Sequence, residues 1–528
     1  MEFNKIFQTL IHLKIKQVWY QVKYRYFQRK RDYFNLKENI DTSHIAFAPD
    51  INSNNSLSDE EFSFLNLKSS QIIDSSNHID WNYNGYGKLW TYNLNYFDYL
   101  QQEKISREKG LKLLHDFCAQ SQSLKDAYEP YPISLRTINW VKFLSKHRIH
   151  RVEIKNQLYQ DVYRLYDQIE YHILANHLFE NGFGLLFASF YFRDEKLYSK
   201  AHKIINSQLK EQILDDGAHY ELAPMYHHII LHRILDSYNL VSNNNWKNNQ
   251  LENELKDVAS SMLGWLEQIT FRDGTMPMLN DSAPQIAPDY EALSTYADRL
   301  GITSTKKTLK DSGYRKWNFN GFECIIDIGQ ISPSYQPGHA HADSLQFILN
   351  YKSKPMVVDT GISTYEKNDR RHIERSTSSH NTVTIDNQNS SEVWSGFRVG
   401  RRAKVVIEKE TDDLIKASHN GYRNLKAKHT RIFKKNISQI SIVDVVSGKT
   451  TLNRVGHIHF HPDINISKNG NRINLNDELV LNIDGCSQIE IEDYQMAKGY
   501  NSLVPAQKIK YYFQEQVNIS FTPINGNI

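Results

Sequence analysis

The chain contains little cysteine, since only Cys118, Cys324 and Cys486 occur in 528 residues. The three are far apart and form no CxxC pair, which argues against a disulfide framework and against a thiolate metal site. The charge excess is also small, because 63 basic and 60 acidic side chains leave a net charge of +3. A balance this even gives no reason to predict nucleic-acid binding.

Long apolar runs are absent as well. No segment approaches the roughly 18 consecutive apolar residues of a transmembrane helix. The first residues, MEFNKIFQTLIHLKIKQVWYQ, contain neither the apolar core nor the small-residue cleavage site of a signal peptide. We therefore expect a cytoplasmic or cell-envelope-associated protein, with the periplasm as the alternative.

What is present is the composition of a globular protein, with 40% apolar and 23% charged residues. A chain of 528 residues exceeds the size at which a single core keeps growing, so at least two domains are expected. Tyrosine and phenylalanine are abundant, at 31 and 24 residues. Aromatic rings suit both cores and carbohydrate-facing clefts, and their number alone does not choose between the two.

Hydrophobic periodicity divides the chain into four parts. Residues 1–36 predict a basic amphipathic helix that either lies on an anionic membrane surface or packs on its own protein. Residues 37–77 are polar and predict a linking region with little regular structure. Recurring amphipathic helices in residues 78–300 predict an incomplete α/α toroid. Residues 313–528 change to a period of two and predict an antiparallel β-sandwich, which makes the chain a multidomain α+β protein.

The most informative stretch begins PGHAHADSLQFIL at residue 337. If it is an extended strand, His339, His341 and Asp343 share one face, because alternate residues of a strand point the same way. Asp359 ends the apolar segment VVD, and His380 precedes the strand-like NTVTID. Imidazole and carboxylate groups are common zinc ligands, so this order suggests a metal site. The alternative is that the histidines only cap strand ends.

Three segments occur in order along this part of the chain: HAHAD, VDTG and SSHNTV. Their order and spacing resemble the C-terminal half of the heparinase II/III-like polysaccharide lyases, which include oligoalginate lyases. The resemblance implies a helical toroid followed by a β-sandwich. It also implies cleavage of a uronic-acid-containing polysaccharide by β-elimination. The expected partner is therefore an acidic polysaccharide or oligosaccharide.

The same resemblance assigns catalytic roles. In ANHLFEN, Asn176 and His177 match the element that binds the uronate carboxylate. Glu180 lies one helical turn after His177 and is expected to contact substrate or orient His177. In ELAPMYHH, Pro224 predicts a helix start that presents Tyr226 at its N-terminal end. Tyr226 is the first choice for the catalytic tyrosine, with Tyr220 as the runner-up.

Further roles follow from the resemblance. His339 is expected to transfer protons together with Tyr226, whereas His341, Asp359 and His380 are expected to bind one structural Zn²⁺ next to it. The segment YEPYPISLRTINW adds Tyr128, Arg136 and Trp140 as substrate-binding candidates, equally plausible as structural residues.

Two other functional classes remain at this point. A glycoside hydrolase can also use an α/α toroid, but it needs two carboxylates flanking the scissile bond. Candidates for that pair are Asp216, Glu221, Asp273 and Asp281. A non-catalytic glycan-binding or exopolysaccharide-assembly protein that retains the fold is the third class.

Overall fold

The structure, a computed structural model, describes residues 2–27, 31–36, 42–58, 60–73, 78–247 and 250–524. The chain begins with two short helices, α1 (Glu2–Leu10) and α2 (Ile15–Val22), and a π-helical turn at Lys23–Phe27. The single N-terminal helix predicted for residues 1–36 is therefore broken. Gln17 of α2 donates hydrogen bonds to Ile173 O at 3.2 Å and to Gln336 Oε1 at 2.7 Å.

The polar segment 37–77 contains more regular structure than predicted. Three short strands, β1 (Leu57–Ser58), β2 (Glu61–Phe64) and β3 (Leu67–Ser69), form an antiparallel sheet. Phe62 and Phe64 point into the helical core, where their rings lie 5.3 Å from Tyr99 and 5.1 Å from Trp90. The prediction of an irregular link missed this sheet because the apolar residues are few and lie among polar ones. Within this segment, residues 37–41, 59 and 74–77 lie outside the described part.

The first large body is helical and forms an incomplete α/α toroid. Its helices are α3 (Lys88–Tyr96), α4 (Arg107–Ala119), α5 (Pro130–Lys146), α6 (Val152–Asp167), α7 (Ala175–Phe192), α8 (Glu195–Gln212), α9 (Pro224–Ser242), α10 (Gln250–Ile269) and α11 (Tyr290–Arg299). Proline occupies the first turn of α5 and α9, where no backbone donor is lost. Side chains of Ser106, Asp194 and Asp289 cap α4, α8 and α11.

The second body is the antiparallel β-sandwich predicted from the change of period. A four-stranded sheet has the order β4 (Tyr314–Phe319), β5 (Phe322–Asp327), β6 (Phe347–Tyr351), β7 (Lys354–Val357). A short helix, α12 (Asp369–Glu374), follows it in the chain. The remaining strands are β8 (Val383–Ile385), β9 (Val393–Trp394), β10 (Arg398–Val399), β11 (Val405–Thr411), β12 (Leu414–His419), β13 (Lys428–Lys435), β14 (Ile440–Ser447), β15 (Arg454–His459), β16 (Ile466–Asn469), β17 (Arg472–Leu475), β18 (Leu479–Gly499) and β19 (Ser502–Pro523).

Most of these strands form one large sheet, ordered β11-β12-β13-β14-β19-β18-β17-β16, with β15 bridging β19 and β8. The two sheets share a core, because the Phe347 ring of β6 lies 6.3 Å from Phe433 and 6.1 Å from Phe521 of the large sheet. Among the helices of the described ranges, none is both long and apolar enough to cross a membrane.

Candidate active site

The candidate residues meet where the toroid contacts the β-sandwich. The toroid contributes the N-terminal turns of α7 and α9 and the loop between α10 and α11. The β-sandwich contributes the loop at residues 337–346, between β5 and β6. Each part therefore supplies a share of the polar groups, as is common for clefts between domains.

The histidine-rich stretch is not the strand that the alternation predicted. Residues 337–346 form turns, and β6 begins only at Phe347. Contacts to the toroid hold this loop: Asp281 N donates to His339 O at 3.2 Å, and His341 N donates to Asn280 Oδ1 at 3.0 Å. The carboxylate of Asp343 accepts a hydrogen bond from Gln346 Nε2 at 2.9 Å, and its charge acts on His380.

Both histidines nevertheless converge, because Asp281 binds them both. His339 Nδ1 lies 2.9 Å from Asp281 Oδ2, and His341 Nε2 lies 2.8 Å from Asp281 Oδ1. Arg371 contacts the same carboxylate with both terminal nitrogens, at 2.6 Å for Nη2. Burial alone would raise the pKa of Asp281, but Arg371 and the two histidines outweigh it and hold that pKa well below its usual range.

An ionised Asp281 fixes the tautomers of the two histidines. A carboxylate only accepts, so each ring nitrogen facing it carries the proton. His339 is thereby left with Nε2 as the nitrogen that can take up a proton, and this atom lies 3.6 Å from Glu221 Oε2. The His339 side chain keeps 14% of its surface exposed, so it is accessible from the cleft.

Tyr226 lies against this histidine. It is the third residue of α9, and its ring centroid lies 4.0 Å from that of His339. Its hydroxyl is 3.2 Å from the hydroxyl of Tyr365. Burial raises the pKa of Tyr226 well above its usual value, so the resting phenol is protonated. The N-terminal end of a helix favours an anion, but burial is the larger influence on the pKa of Tyr226.

Tyr220, the runner-up, is arranged differently. Its hydroxyl is hydrogen-bonded to the Tyr335 hydroxyl, with ring centroids 6.3 Å apart. It is the Tyr226 ring, not that of Tyr220, that stacks on His339.

Asn176 lies in the first turn of α7 and is almost fully buried. Its backbone N and side-chain Nδ2 both donate to Glu221, with Nδ2 at 3.0 and 3.1 Å from the two carboxylate oxygens. The predicted amide donor is therefore present beside His339, but its hydrogens are directed to Glu221. Glu221 was predicted only as a candidate hydrolase carboxylate, and no local pattern in the sequence indicates its contact with Asn176.

His177 remains open to solvent, with 33% of its side chain exposed. Its Nδ1 lies 2.9 Å from Glu170 Oε1, and its ring centroid lies 4.5 Å from that of Tyr131, with the rings tilted by 46°. Burial opposes a charge on His177, but Glu170 outweighs it and raises the pKa of the imidazole. With Nδ1 held by Glu170, the ring nitrogen available to a ligand is Nε2.

Glu180 does not take the role expected from its helical spacing. Its side chain is fully buried, and Oε2 lies 3.4 Å from Arg233 Nε. Burial raises the pKa of Glu180 to about 7. The partner of His177 is Glu170, in the loop before α7, a residue that helix periodicity could not indicate because it lies outside the helix.

The other predicted substrate-binding residues, two on α5 and one just before it, also make contacts within the toroid. Arg136 is fully buried and binds Asp161 at 3.0 and 2.7 Å. Trp140 is fully buried, with its ring 5.4 Å from that of Phe97. Tyr128 is partly buried, and its hydroxyl donates to Ser121 O at 2.6 Å. These three side chains stabilise the toroid and do not line the cleft in this structure.

The predicted zinc ligands are close but form two separate contacts. His380 Nδ1 lies 2.7 Å from Asp359 Oδ2, whereas His341 is bound to Asp281. The ring centroids of His341 and His380 are 5.2 Å apart. The opposite ring nitrogens, His341 Nδ1 and His380 Nε2, are buried and have no hydrogen-bond partner among the residues that the structure describes. Across the described ranges, no group of three or more His, Cys, Asp or Glu side chains is arranged to hold a metal ion.

The chain thus consists of an α/α toroid joined to an antiparallel β-sandwich, and the ring centroids of His339 and Tyr226 lie 4.0 Å apart at the junction. Residues 133–302 match the family Heparinase II/III N-terminus, and residues 302–522 match the family Heparinase II/III-like, C-terminal. The chain belongs to the heparinase II/III-like family, as its sequence motifs predicted.

Characterised relatives are distant. A heparin-sulfate lyase of Bacteroides stercoris is 23% identical over 319 residues, 55% of this chain and 46% of the relative. A heparin-sulfate lyase of Pedobacter heparinus is 24% identical over 300 residues, 51% and 43% of the two chains. The match thus spans under half the length of these curated relatives.

Solved structures resemble the whole fold. A crystal structure of heparinase III superposes with a TM-score of 0.68 at 15% identity, covering 94% of this chain and 89% of that one. A heparan sulfate lyase from Pedobacter heparinus gives a TM-score of 0.55 at 17% identity, covering 85% and 79%. These similarities establish the predicted order of toroid and β-sandwich.

Proposed function

We propose that the protein is a polysaccharide lyase that cleaves a uronic-acid-containing polysaccharide by β-elimination. The observation that carries this proposal is the stack of Tyr226 on His339, 4.0 Å apart, with His339 oriented by Asp281. Family membership supports the same reaction class. The curated relatives named as heparin-sulfate lyases suggest heparan-type chains as the first substrate to examine.

The first requirement of the reaction is to neutralise the uronate carboxylate, because removing the C5 proton builds negative charge on it. His177 suits this task, since Glu170 favours its charged form and its side chain is open to the cleft. One well-placed donor is worth roughly 3 kcal/mol of barrier. Asn176 contributes as a second donor once its Nδ2 hydrogens are shared between Glu221 and the substrate.

The second requirement is a base and an acid on the sugar. His339 Nε2 accepts the C5 proton, the C4–O bond breaks, and the electron pair forms the C4=C5 double bond. The protonated phenol of Tyr226 donates its proton to the departing glycosidic oxygen. His339 then returns the C5 proton to the phenolate, directly or through water. Each of these two groups contributes typically about 10²–10⁴-fold to the rate.

The direct test is incubation with heparan sulfate, alginate and other uronate polymers, followed by ultraviolet absorbance of the 4,5-unsaturated uronate. We expect absorbance to rise with at least one polymer. Saturated, hydrated new ends would instead indicate a hydrolase, and absence of cleavage across the panel would indicate a binding protein.

The geometry gives the hydrolase less support. Glu221 and Asp281 both lie near His339, yet each is almost fully buried and already bound to protein donors. Asp216 accepts hydrogen bonds from Ser312, and Asp273 accepts them from Thr275. An inverting or retaining hydrolase needs two carboxylates open to the substrate.

We also propose that His341, Asp359 and His380 bind one zinc ion. His341 Nδ1 and His380 Nε2 are buried and unpartnered among the described residues. Each such atom lowers the free energy of unfolding by about 1–3 kcal/mol, and a metal ion would bind both. Asp359 has to turn from His380 toward the ion, and His380 has to release the proton that Asp359 favours. When bound, zinc supplies a structural link between the 337–346 loop and the segments around Asp359 and His380.

Metal analysis of the purified protein tests this site. We expect about one equivalent of zinc, and a lower melting temperature after chelation or in His341→Ala. His339→Ala is the matched control, because it should lower activity and leave metal content unchanged. A fully active protein that contains well under one equivalent of any transition metal would refute the proposed zinc site.

A further inference from the structure

The N-terminal helices expose an apolar surface that the described residues of the chain do not cover. Ile15, Val18, Trp19, Val22 and Tyr26 follow the spacing i, i+3, i+4, i+7, i+11 and share one face of α2 and the π-helical turn. All five are exposed, Ile15 at 88% and Trp19 at 60%. The preceding helix α1 also has exposed apolar residues, Ile6, Phe7 and Leu10, and Ile11 follows just after it. We call this set the apolar stripe.

The opposite side of α2 already provides the contact with the protein. Gln17 is buried and joins the toroid to the β-sandwich. The Tyr20 ring lies 4.5 Å from Tyr171, and Tyr24 donates a hydrogen bond to Ile169 O at 2.5 Å. The apolar stripe is therefore not needed to attach the helices, and an exposed surface of this size normally marks an interaction site.

Positive charges lie beside the apolar stripe. Lys16 Nζ lies 4.3 Å from the Tyr171 ring centroid, and Lys23 Nζ lies 5.2 Å from that of Tyr20. Lys200 and Lys203 of α8 are near enough to act, after burial, in lowering the pKa of Lys16. At the other end, Arg402 and Lys404 lie near His12 and, after burial, lower its pKa. Lys16, Lys23, Lys200 and Lys203 form no ion pair with another residue of the described ranges. Glu211 lies in the same region and is paired with Lys14.

We propose that this surface binds the interface of an anionic lipid bilayer. Apolar side chains would enter the boundary between headgroups and acyl chains, while the lysines beside them contact acidic headgroups. A second copy of the chain fits less well, since symmetric pairing would bring one set of positive charges against the other. The proposal is independent of the lyase reaction, because none of these side chains belongs to the candidate active site.

Cosedimentation of the full-length protein with vesicles tests the proposal. One set contains phosphatidylcholine alone, and the other contains equal parts of phosphatidylcholine and phosphatidylglycerol. We expect binding to the acidic vesicles to be about tenfold tighter or more, and to weaken as salt is added. The double variant Ile15→Ser/Trp19→Ser should lose about tenfold in affinity for both sets, whereas Lys16→Glu/Lys23→Glu should lose the preference for acidic lipid.

Val152→Ser/Ile437→Ser is the matched control, since these side chains are similarly exposed, at 65% and 68%, but lie elsewhere on the surface. It should bind vesicles as the unmodified chain does. Absence of binding to acidic vesicles, or equal loss in the control, overturns the proposal. A dimer that is dissociated by Ile15→Ser/Trp19→Ser, in a protein that binds no vesicles, also overturns the proposal. The apolar stripe would then be covered by a second copy of the chain. Melting temperature shows that each variant is folded.

Discussion

Replacing Tyr226 with phenylalanine separates chemistry from folding, because it removes one oxygen atom and leaves the ring in place. The lost contact in the free protein is the hydroxyl pair with Tyr365 at 3.2 Å. A neutral hydrogen bond contributes about 0.5–1.5 kcal/mol to the free energy of unfolding. Loss of the proton donor should raise the activation barrier by about 3–5 kcal/mol, which corresponds to a 10²–10⁴-fold slower kcat.

Tyr220→Phe is the matched control, since it removes the hydroxyl that pairs with Tyr335 and leaves the Tyr226 and His339 stack intact. Initial rates from the absorbance of the unsaturated product, on a polymer that the unmodified protein cleaves, give kcat for both variants. Thermal unfolding gives their stability. An unchanged kcat in Tyr226→Phe would refute the assignment, and a large loss confined to Tyr220→Phe would transfer the role to Tyr220.

Three further variants test the partner of His177, the ion pair of Asp281 and the contacts of Gln17 with the two domains. Glu170→Gln should lower the pKa of His177, because it removes the carboxylate that favours the charged imidazole. The pH above which the substrate carboxylate binds weakly should then decrease, and KM at neutral pH should rise about tenfold. A pH profile of KM identical to that of the unmodified protein would contradict this. Asp281→Asn should lower the free energy of unfolding by about 3–5 kcal/mol, because Arg371 is left as a buried charge without its partner, and denaturant titration measures the change. Gln17→Ala should destabilise by about 1–3 kcal/mol through its lost contacts to both domains, visible as a lower melting temperature.

The direction in which stability changes with pH at His177 follows from the direction of its pKa shift. Its folded-state pKa is raised, so the interaction with Glu170 stabilises the fold fully below the ordinary histidine value. The stabilisation is lost as pH rises through the raised pKa. The same titration removes the positive charge proposed to bind the substrate, so stability and KM should change over one pH range.

The sequence was sufficient for the family and for the order of the two domains, because both depend on motifs and on periodicity over many residues. It failed for the backbone of residues 337–346. Alternation of His339 and His341 imitates a strand, but Asn280 and Asp281 of the toroid occupy the hydrogen bonds that a neighbouring strand would have made. A local pattern cannot show that the partner lies in another domain.

The sequence also did not predict the direction in which some side chains point. Arg136 has the chemistry of a carboxylate-binding residue, yet Asp161 on the next helix binds it inside the toroid. Glu180 has the correct spacing to meet His177, but its Oε2 lies 3.4 Å from Arg233 Nε inside the toroid. In both cases the competing partner is distant in sequence, and only packing decides between a buried ion pair and a cleft-facing group.

The position of Asp281 connects catalysis to the way in which the domains are joined. This carboxylate belongs to the loop between α10 and α11, whereas His339, His341 and Arg371 belong to the β-sandwich. The tautomer of the proposed base is therefore set by the other domain, and a shift of about 1 Å between the bodies would lengthen a 2.9 Å hydrogen bond beyond its useful range. Gln17 joins the same two bodies from outside the cleft. An N-terminal segment held at a membrane would thus lie directly on the junction that keeps His339 oriented.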